Sequence, residues 1–239
     1  MVFVMKAEEY STNGEKSVLR WGGLAGILSG IAFIFTIGIL IGWVGAAPAT
    51  VEQLVSRYPD IRFATAVGQV TYLVALLFLV PLIFAMYRAL RKSSLAPALF
   101  GTGLSFLGIV VYATGALSVI ALSKISDLYH AAGATSTQQA TAVLLWQGIQ
   151  GVFNETDSVG FAFFLIGMIV LGVAMLKTPT FGKVFGAISV VIGLIGVIGL
   201  AVISIDSGAF AIFAILGFIV YPVILGWKVY SLSRANKET

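Results

Sequence analysis

The sequence predicts an all-α protein, a polytopic transmembrane bundle of six helices with both termini in the cytoplasm. Of its 239 residues, 59% are hydrophobic and 10% are charged, whereas soluble proteins carry roughly 25% charged residues. Six apolar segments are long enough to cross a bilayer core of roughly 30 Å, which needs about 20 helical residues. They lie at about 21–45, 64–87, 97–122, 158–176, 184–204 and 208–227.

The first apolar segment runs from Trp21 to Gly45 without a charged side chain and is interrupted by glycine at intervals of four or eight residues. Small residues at this spacing let a second helix backbone approach closely in lipid. Because 16 residues separate Gly22 from Gly38, the two halves of this glycine ladder point roughly 160° apart. We therefore expect the first helix to be the hub of the bundle. The ladder consists of Gly22, Gly26, Gly30, Gly38 and Gly42.

Two further helices are predicted on the outer face. Thr50 and Gln53 have the spacing of a capping box, which predicts a short helix that ends at Pro59. Ser136 and Gln139 have the same spacing and precede apolar residues at helical intervals, which predicts an amphipathic helix before the fourth span.

The later spans carry their own signals. Pro81 should bend the second span, and Pro97 is suited to the first turn of the third. Small residues in the third and fifth spans recur at steps of three, four and seven, which predicts helix packing. The glycines concerned are Gly101, Gly108, Gly115, Gly186 and Gly193.

Orientation follows from the basic residues. With the N-terminus inside, eleven Lys and Arg residues lie in inner segments and three in outer segments, which fits the positive-inside rule. We expect cytoplasmic tails at 1–17 and 231–239, one membrane domain at 18–230, and a multi-pass location in the cytoplasmic membrane.

The residue inventory excludes several chemistries. The chain has no cysteine and one histidine, which excludes thiolate sites and a bis-histidine haem. Its Lys and Arg residues form no patch with interleaved aromatics, so nucleic acid is not an expected partner. No catalytic constellation is found, so we expect neither an enzyme nor a cofactor.

Two groups of polar residues remain as candidates. Carboxylates and the histidine at the outer rim could converge on a cation, although Asp157 and Asp206 fit helix capping better. This weak cation set is Asp127, His130, Glu155, Asp157 and Asp206. Gln69, Tyr72 and Tyr112 are polar groups in apolar surroundings, which either hydrogen-bond between helices or line a cavity.

A resemblance to a known family rests on two stretches of sequence. The fourth and fifth spans contain Phe163-Phe164-Leu165-Ile166-Gly167, Leu171-Gly172, Pro179, Gly186 and Gly193, and the second and third are joined by Tyr87-Arg88-Ala89-Leu90-Arg91-Lys92. This pattern resembles a prokaryotic family catalogued as domain of unknown function 4386. The resemblance implies an integral membrane protein with six helices and supplies no reaction, substrate or catalytic residues.

Two functions are left open. The first is a non-enzymatic bundle that binds within a membrane complex, as a subunit or accessory protein, with other membrane subunits or further copies of the chain as partners. The alternative is a small-solute or ion transporter or channel. Pro81 and Pro222 occupy non-corresponding spans of the two halves, which does not fit an inverted repeat.

Overall fold

The chain forms a bundle of helices, and the described part contains no strand. The computed structural model describes the backbone of residues 2–46, 48–202, 212 and 215–234 and, among these, the side chains of all but 2–12, 201 and 202. The predicted all-α fold class is confirmed. The helices are α1 (Val2–Ile39), α2 (Val51–Leu90), α3 (Leu95–Ser118), α4 (Ile120–Tyr129), α5 (Ser136–Leu176), α6 (Gly182–Val202) and α7 (Tyr221–Leu232), with π-helical turns at Leu40–Val44 and Leu216–Val220.

Five helical stretches are long and apolar enough to cross a membrane. They are Asn13–Val44, Val51–Leu90, Leu95–Tyr129, Ser136–Leu176 and Gly182–Leu200. A sixth apolar segment, Leu216–Leu232, is shorter in the described part, and residues 208–211, 213 and 214 of its predicted span lie outside the described residues. The chain is therefore a multi-pass membrane protein. We name the end of the bundle that holds Glu15 the inner end, after the predicted orientation, and the opposite end the outer end.

Three helices are longer than the sequence predicts. The predicted tail at 1–17 belongs to α1 from Val2 onward, and the outer helix expected to stop at Pro59 continues without a break into the second span. The amphipathic helix before the fourth span likewise continues into it as α5. A proline removes one backbone hydrogen bond but does not end a helix whose flanking residues are held by tertiary packing. Val55, Tyr58 and Ile61, which flank Pro59, are all buried.

The sequence predicts the N-terminal cap of α2 at the correct residue and that of α5 one residue too late. The Thr50 side chain accepts a hydrogen bond from the Gln53 amide at 3.2 Å, as expected for a cap. The capping box of α5 lies one residue earlier than predicted. Thr135 caps the helix, and its backbone amide donates a hydrogen bond of 2.8 Å to Oε1 of Gln138. The neighbouring hydroxyl and glutamine pairs have the same spacing, so the spacing alone could not select the register.

The outer ends of α2 and α5 pack with α4 into a second hydrophobic core, which we call the outer platform. Its buried residues are Val55, Tyr58, Ile61, Val119, Leu122, Ile125, Ala142 and Trp146. The rings of Tyr58 and Trp146 meet edge to face with centroids 4.9 Å apart. His130 joins α4 to α2, because its Nε2 lies 3.2 Å from the Ser56 carbonyl oxygen. This core holds the outer parts of α2 and α5 helical.

Among the described helices α1 is not a single hub, which corrects the prediction. α1 packs mainly between α2 and α7, whereas α5 packs against α2, α3, α4 and α6, and α2 packs against α1, α3, α4, α5 and α7. Glycines make the crossings close. A Cβ atom built at Gly108 would lie 2.6 Å from the carbonyl oxygen of Gly160, and Gly172 and Gly186 approach each other in the same way at 2.9 Å. The predicted Gly101, Gly115 and Gly193 also face a neighbouring helix closely.

The glycine ladder of α1 packs along only half its length. Gly22 and Gly26 face α2, Gly26 and Gly30 face α7, and Gly23, outside the ladder, meets Gly226 of α7. The half of the ladder from Gly22 to Gly30 therefore contacts both neighbours, α2 and α7. A Cβ atom at Gly38 or Gly42 would meet no described atom within 4 Å, so the predicted packing of these two glycines finds no support within the described chain.

Candidate functional site

Aromatic rings from four helices and a π-helical turn fill the middle of the bundle. Phe218, in the turn before α7, stacks on Phe33 of α1 and Phe161 of α5 with centroids 4.8 and 5.3 Å apart. Tyr112 of α3 meets Phe218 edge to face at 5.0 Å, and Tyr72 of α2 meets Phe33 at 5.7 Å. We call this set, with Phe164 stacked on Phe218, the aromatic centre. Such offset and edge-to-face pairs are favourable beyond the area that they bury.

A carboxylate lies beside the aromatic centre. The Tyr72 hydroxyl donates a long hydrogen bond of 3.4 Å to Oδ1 of Asp157, and the same oxygen would lie 3.6 Å from a Cβ atom at Gly115. Because α5 is continuous from Ser136 to Leu176, Asp157 lies 21 residues into the helix and has no helix start to cap, which corrects the capping interpretation. No Lys, Arg or His side chain of the described residues forms an ion pair with it. Asp157 is thus an acceptor that faces the bundle.

Gln69 lies apart from the two tyrosines predicted with it. It lines a groove of about 340 Å³ between α2 and α3, to which Tyr58 and Arg62 also contribute but neither Tyr72 nor Tyr112 does. Its side-chain oxygen is buried without a hydrogen-bond partner among the described residues. Tyr72 and Tyr112 instead meet each other at 6.3 Å in the aromatic centre.

The predicted outer cation set does not converge. Asp127 pairs with Arg62, and Nδ1 of His130 contacts the Ser126 carbonyl oxygen at 2.9 Å. Glu155 is exposed while Asp157 turns toward Tyr72, and Asp206 lies outside the described residues. Within the described ranges no three acidic or histidine side chains are grouped so that they could hold a metal ion.

A family model described as Domain of unknown function (DUF4386) matches residues 23–229. The chain belongs to this family. The DUF4386 region includes the aromatic centre, Asp157 and the outer platform, and leaves out all of the part of α1 that precedes the first span. No curated protein and no solved structure matches the chain.

At the inner end, one acidic residue is surrounded by three basic ones. Oε1 of Glu15, outside the DUF4386 region, accepts hydrogen bonds from Nη2 of Arg88 at 3.1 Å and of Arg91 at 3.0 Å, and its Oε2 lies 3.6 Å from Nζ of Lys92. Arg88 is in the last turn of α2, and Arg91 and Lys92 are in the turn that leads to α3. We call these four residues the inner charge cluster.

Sequence reasoning missed the members of these sites that only tertiary contacts identify. Phe218 is one of many phenylalanines in apolar runs, and nothing in its local sequence marks it as the ring that contacts Phe33, Tyr112, Phe161 and Phe164. Arg88 and Arg91 are three residues apart and so share a helix face, which was a usable signal for a charge cluster. Their acidic partner, Glu15, is 73 residues from Arg88 and had no signal.

Proposed function

We propose that this DUF4386 protein is a non-enzymatic membrane bundle that acts by binding, as a subunit or accessory protein of a membrane complex. The observation that carries this proposal is the aromatic centre. A channel or carrier needs a polar path or cavity through its middle, whereas stacked and edge-to-face rings from α1, α2, α3, α5 and the turn before α7 occupy the middle here. The stacking favours a role in which the bundle is a rigid body.

The environment of His130 supports the same proposal. General acid–base chemistry needs a side chain within reach of a substrate. His130, the one histidine of the chain, lies with Nδ1 and Nε2 against the backbone carbonyl oxygens of Ser126 and Ser56. Its role is therefore to join two helices of the outer platform.

A partner surface is offered by the outer half of α1 and its π-helical turn. The large apolar side chains there, Phe35, Ile41 and Trp43, are exposed in the single chain. Gly38 and Gly42 lie between them and meet no described atom within 4 Å of a built Cβ atom. Bulky side chains beside bare backbone suit close packing with another transmembrane helix.

Purification from native membranes tests the proposal. The chain carries an affinity tag, is expressed at its native level and is extracted with its surrounding lipid in polymer nanodiscs. We expect a second polypeptide, or a second copy of the chain, in stoichiometric amount. Gly38→Leu should abolish the association, while Gly103→Leu, at another glycine with open space around it, should not. Isolated monomer from native membranes would overturn the proposal.

A second candidate, a small-solute or ion transporter, is favoured by Asp157. Ionisable residues that face the interior of a membrane bundle often mark an ion or proton path, and this carboxylate has only a weak bond from Tyr72. Ion or proton flux into proteoliposomes tests this candidate. Flux that Asp157→Asn abolishes and Glu155→Gln preserves would favour a transporter over a binding subunit, because Glu155 is an exposed carboxylate two residues away.

A further inference from the structure

The inner charge cluster contains more positive charge than its acidic member balances. Three cations surround one carboxylate, so the cluster carries an excess of two positive charges when all four groups are ionised. Arg88 and Arg91 each use Nη2 on the same oxygen of Glu15, and the Nε atoms of both are buried with no hydrogen-bond partner among the described residues. A guanidinium has five N–H donors. These Nε atoms are shielded from solvent, but about a third of each arginine side chain is exposed, at 34% and 32%. The exposed part of each guanidinium retains N–H groups for a second anionic group.

A cavity lies beside this excess charge. Its volume is about 310 Å³, and it is lined by Glu15, Arg88, Lys92 and Thr180, with Leu19 and Leu232 among the apolar residues. The cavity thus has cationic groups, one hydroxyl and an apolar wall. Lys92 is the most accessible cation, with 75% of its side chain exposed.

The position of the cavity matches the headgroup layer of a bilayer. Trp21 of α1 and Trp227 of α7 are 66% and 65% exposed at the same end of the bundle, and exposed tryptophans lie at the boundary between lipid and water. Glu15 precedes Trp21 by six residues, and Leu232 follows Trp227 by five. At 1.5 Å per residue, the cavity lies roughly 8 to 9 Å farther along the helix axes than the tryptophans.

We propose that the cavity beside the inner charge cluster binds the phosphate headgroup of an anionic phospholipid. The phosphate contacts Lys92 and an unused N–H group of Arg88, and Arg91, which does not line the cavity, adds its positive charge from behind Glu15. The apolar wall at Leu19 and Leu232 accepts the start of the lipid chains. Basic pockets between transmembrane helices are suited to anionic headgroups. Glu15 holds the two arginines in place and, as an anion, weakens the binding.

Native mass spectrometry of the full chain in detergent tests this site, with phosphatidylglycerol and phosphatidylcholine as probes at equal concentration. We expect preferential retention of phosphatidylglycerol. Lys92→Gln should weaken its binding about fivefold, which corresponds to about 1 kcal/mol per basic residue near a lipid surface. Lys124→Gln is the matched control, because it removes the same charge from an exposed position on α4. Equal retention of the two lipids, or equal effects of the two lysine variants, would overturn the proposal.

Glu15→Gln separates a lipid site from a purely structural clamp. If the cluster binds lipid, removing the competing anion raises retention of phosphatidylglycerol by a similar factor, even where the melting temperature falls. If the cluster only joins α1 to the turn after α2, the variant lowers the melting temperature and leaves lipid retention unchanged or reduced, which contradicts the proposal. Millimolar inorganic phosphate provides the last arm: displacement of the lipid by phosphate alone would show a free-phosphate site instead.

Discussion

The crossing of α3 and α5 at Gly108 gives the sharpest test of the packing. A Cβ atom added at Gly108 would lie 2.6 Å from the carbonyl oxygen of Gly160 and 2.7 Å from the backbone nitrogen of Phe164. Ordinary contacts of a Cβ atom begin at 3.4 Å, so Gly108→Ala requires a displacement of about 0.8 Å (3.4 minus 2.6) between the two helices. Because both obstacles are backbone atoms, no side-chain rotation relieves the clash. We expect a loss of about 1–3 kcal/mol in the free energy of unfolding, as for overpacked cores.

Gly103→Ala is the matched control for this variant. Gly103 is in the same helix, is exposed, and a Cβ atom there meets nothing within 4 Å. Both substitutions gain up to about 1 kcal/mol of helix propensity, so the difference between them isolates the packing term. Reversible unfolding in mixed micelles with increasing SDS, followed by tryptophan fluorescence, measures both. Equal stability of the two variants would refute the close approach of α3 and α5.

Three further substitutions test other contacts by the same unfolding assay or by hydrogen exchange. Phe218→Ala removes the ring shared by the aromatic centre and should cost about 3–5 kcal/mol; a loss below about 1 kcal/mol would show that the rings do not pack as described. Ser29→Ala removes a buried hydrogen bond of 2.9 Å to the Ala75 carbonyl oxygen and should cost about 0.6 kcal/mol, the average for bonds between membrane helices; an unchanged stability argues against that bond. Thr135→Ala breaks the capping box with Gln138 and should speed amide exchange in the first turn of α5, with a local loss of about 1 kcal/mol; unaltered protection there means that α5 is capped otherwise.

The apolar segments could be read from the sequence because a bilayer imposes a minimum length on each span. Their outer limits could not, since Val55, Tyr58 and Ile61 become buried only when α4 and α5 cover them. Pro59 and the loop-like composition after the first span therefore predicted a helix end that tertiary packing overrides. The outer platform depends on contacts between residues as distant as Tyr58 and Trp146.

The glycine spacing predicts packing correctly in α3 but not along the whole of α1. The spacing of Gly101, Gly108 and Gly115 predicts a packing seam, and the structure has them facing α5. The same spacing argument predicts packing at Gly38 and Gly42, but no described residue lies close to either glycine. Glycine spacing shows which face of a helix lacks side chains and does not show which helix packs against that face.

The candidate site was predicted only in pieces. Tyr72 and Tyr112 are recognisable in the sequence as polar groups in apolar runs, yet the contact that joins Tyr72 to Asp157 spans 85 residues. The polar stretch before Asp157 resembles a loop, so the sequence predicts that Asp157 caps a helix. In the structure that stretch is helical, and Asp157 turns toward the bundle.

The great length of α2 and α5 has a mechanical consequence. At 40 and 41 residues, each is about 60 Å long, twice the hydrocarbon thickness of a bilayer. Their outer portions are joined to each other through the outer platform. A tilt of about 5° within the lipid would displace a point roughly 20 Å farther along a straight helix by nearly 2 Å. Movement of either helix in the membrane would therefore move the outer platform as well.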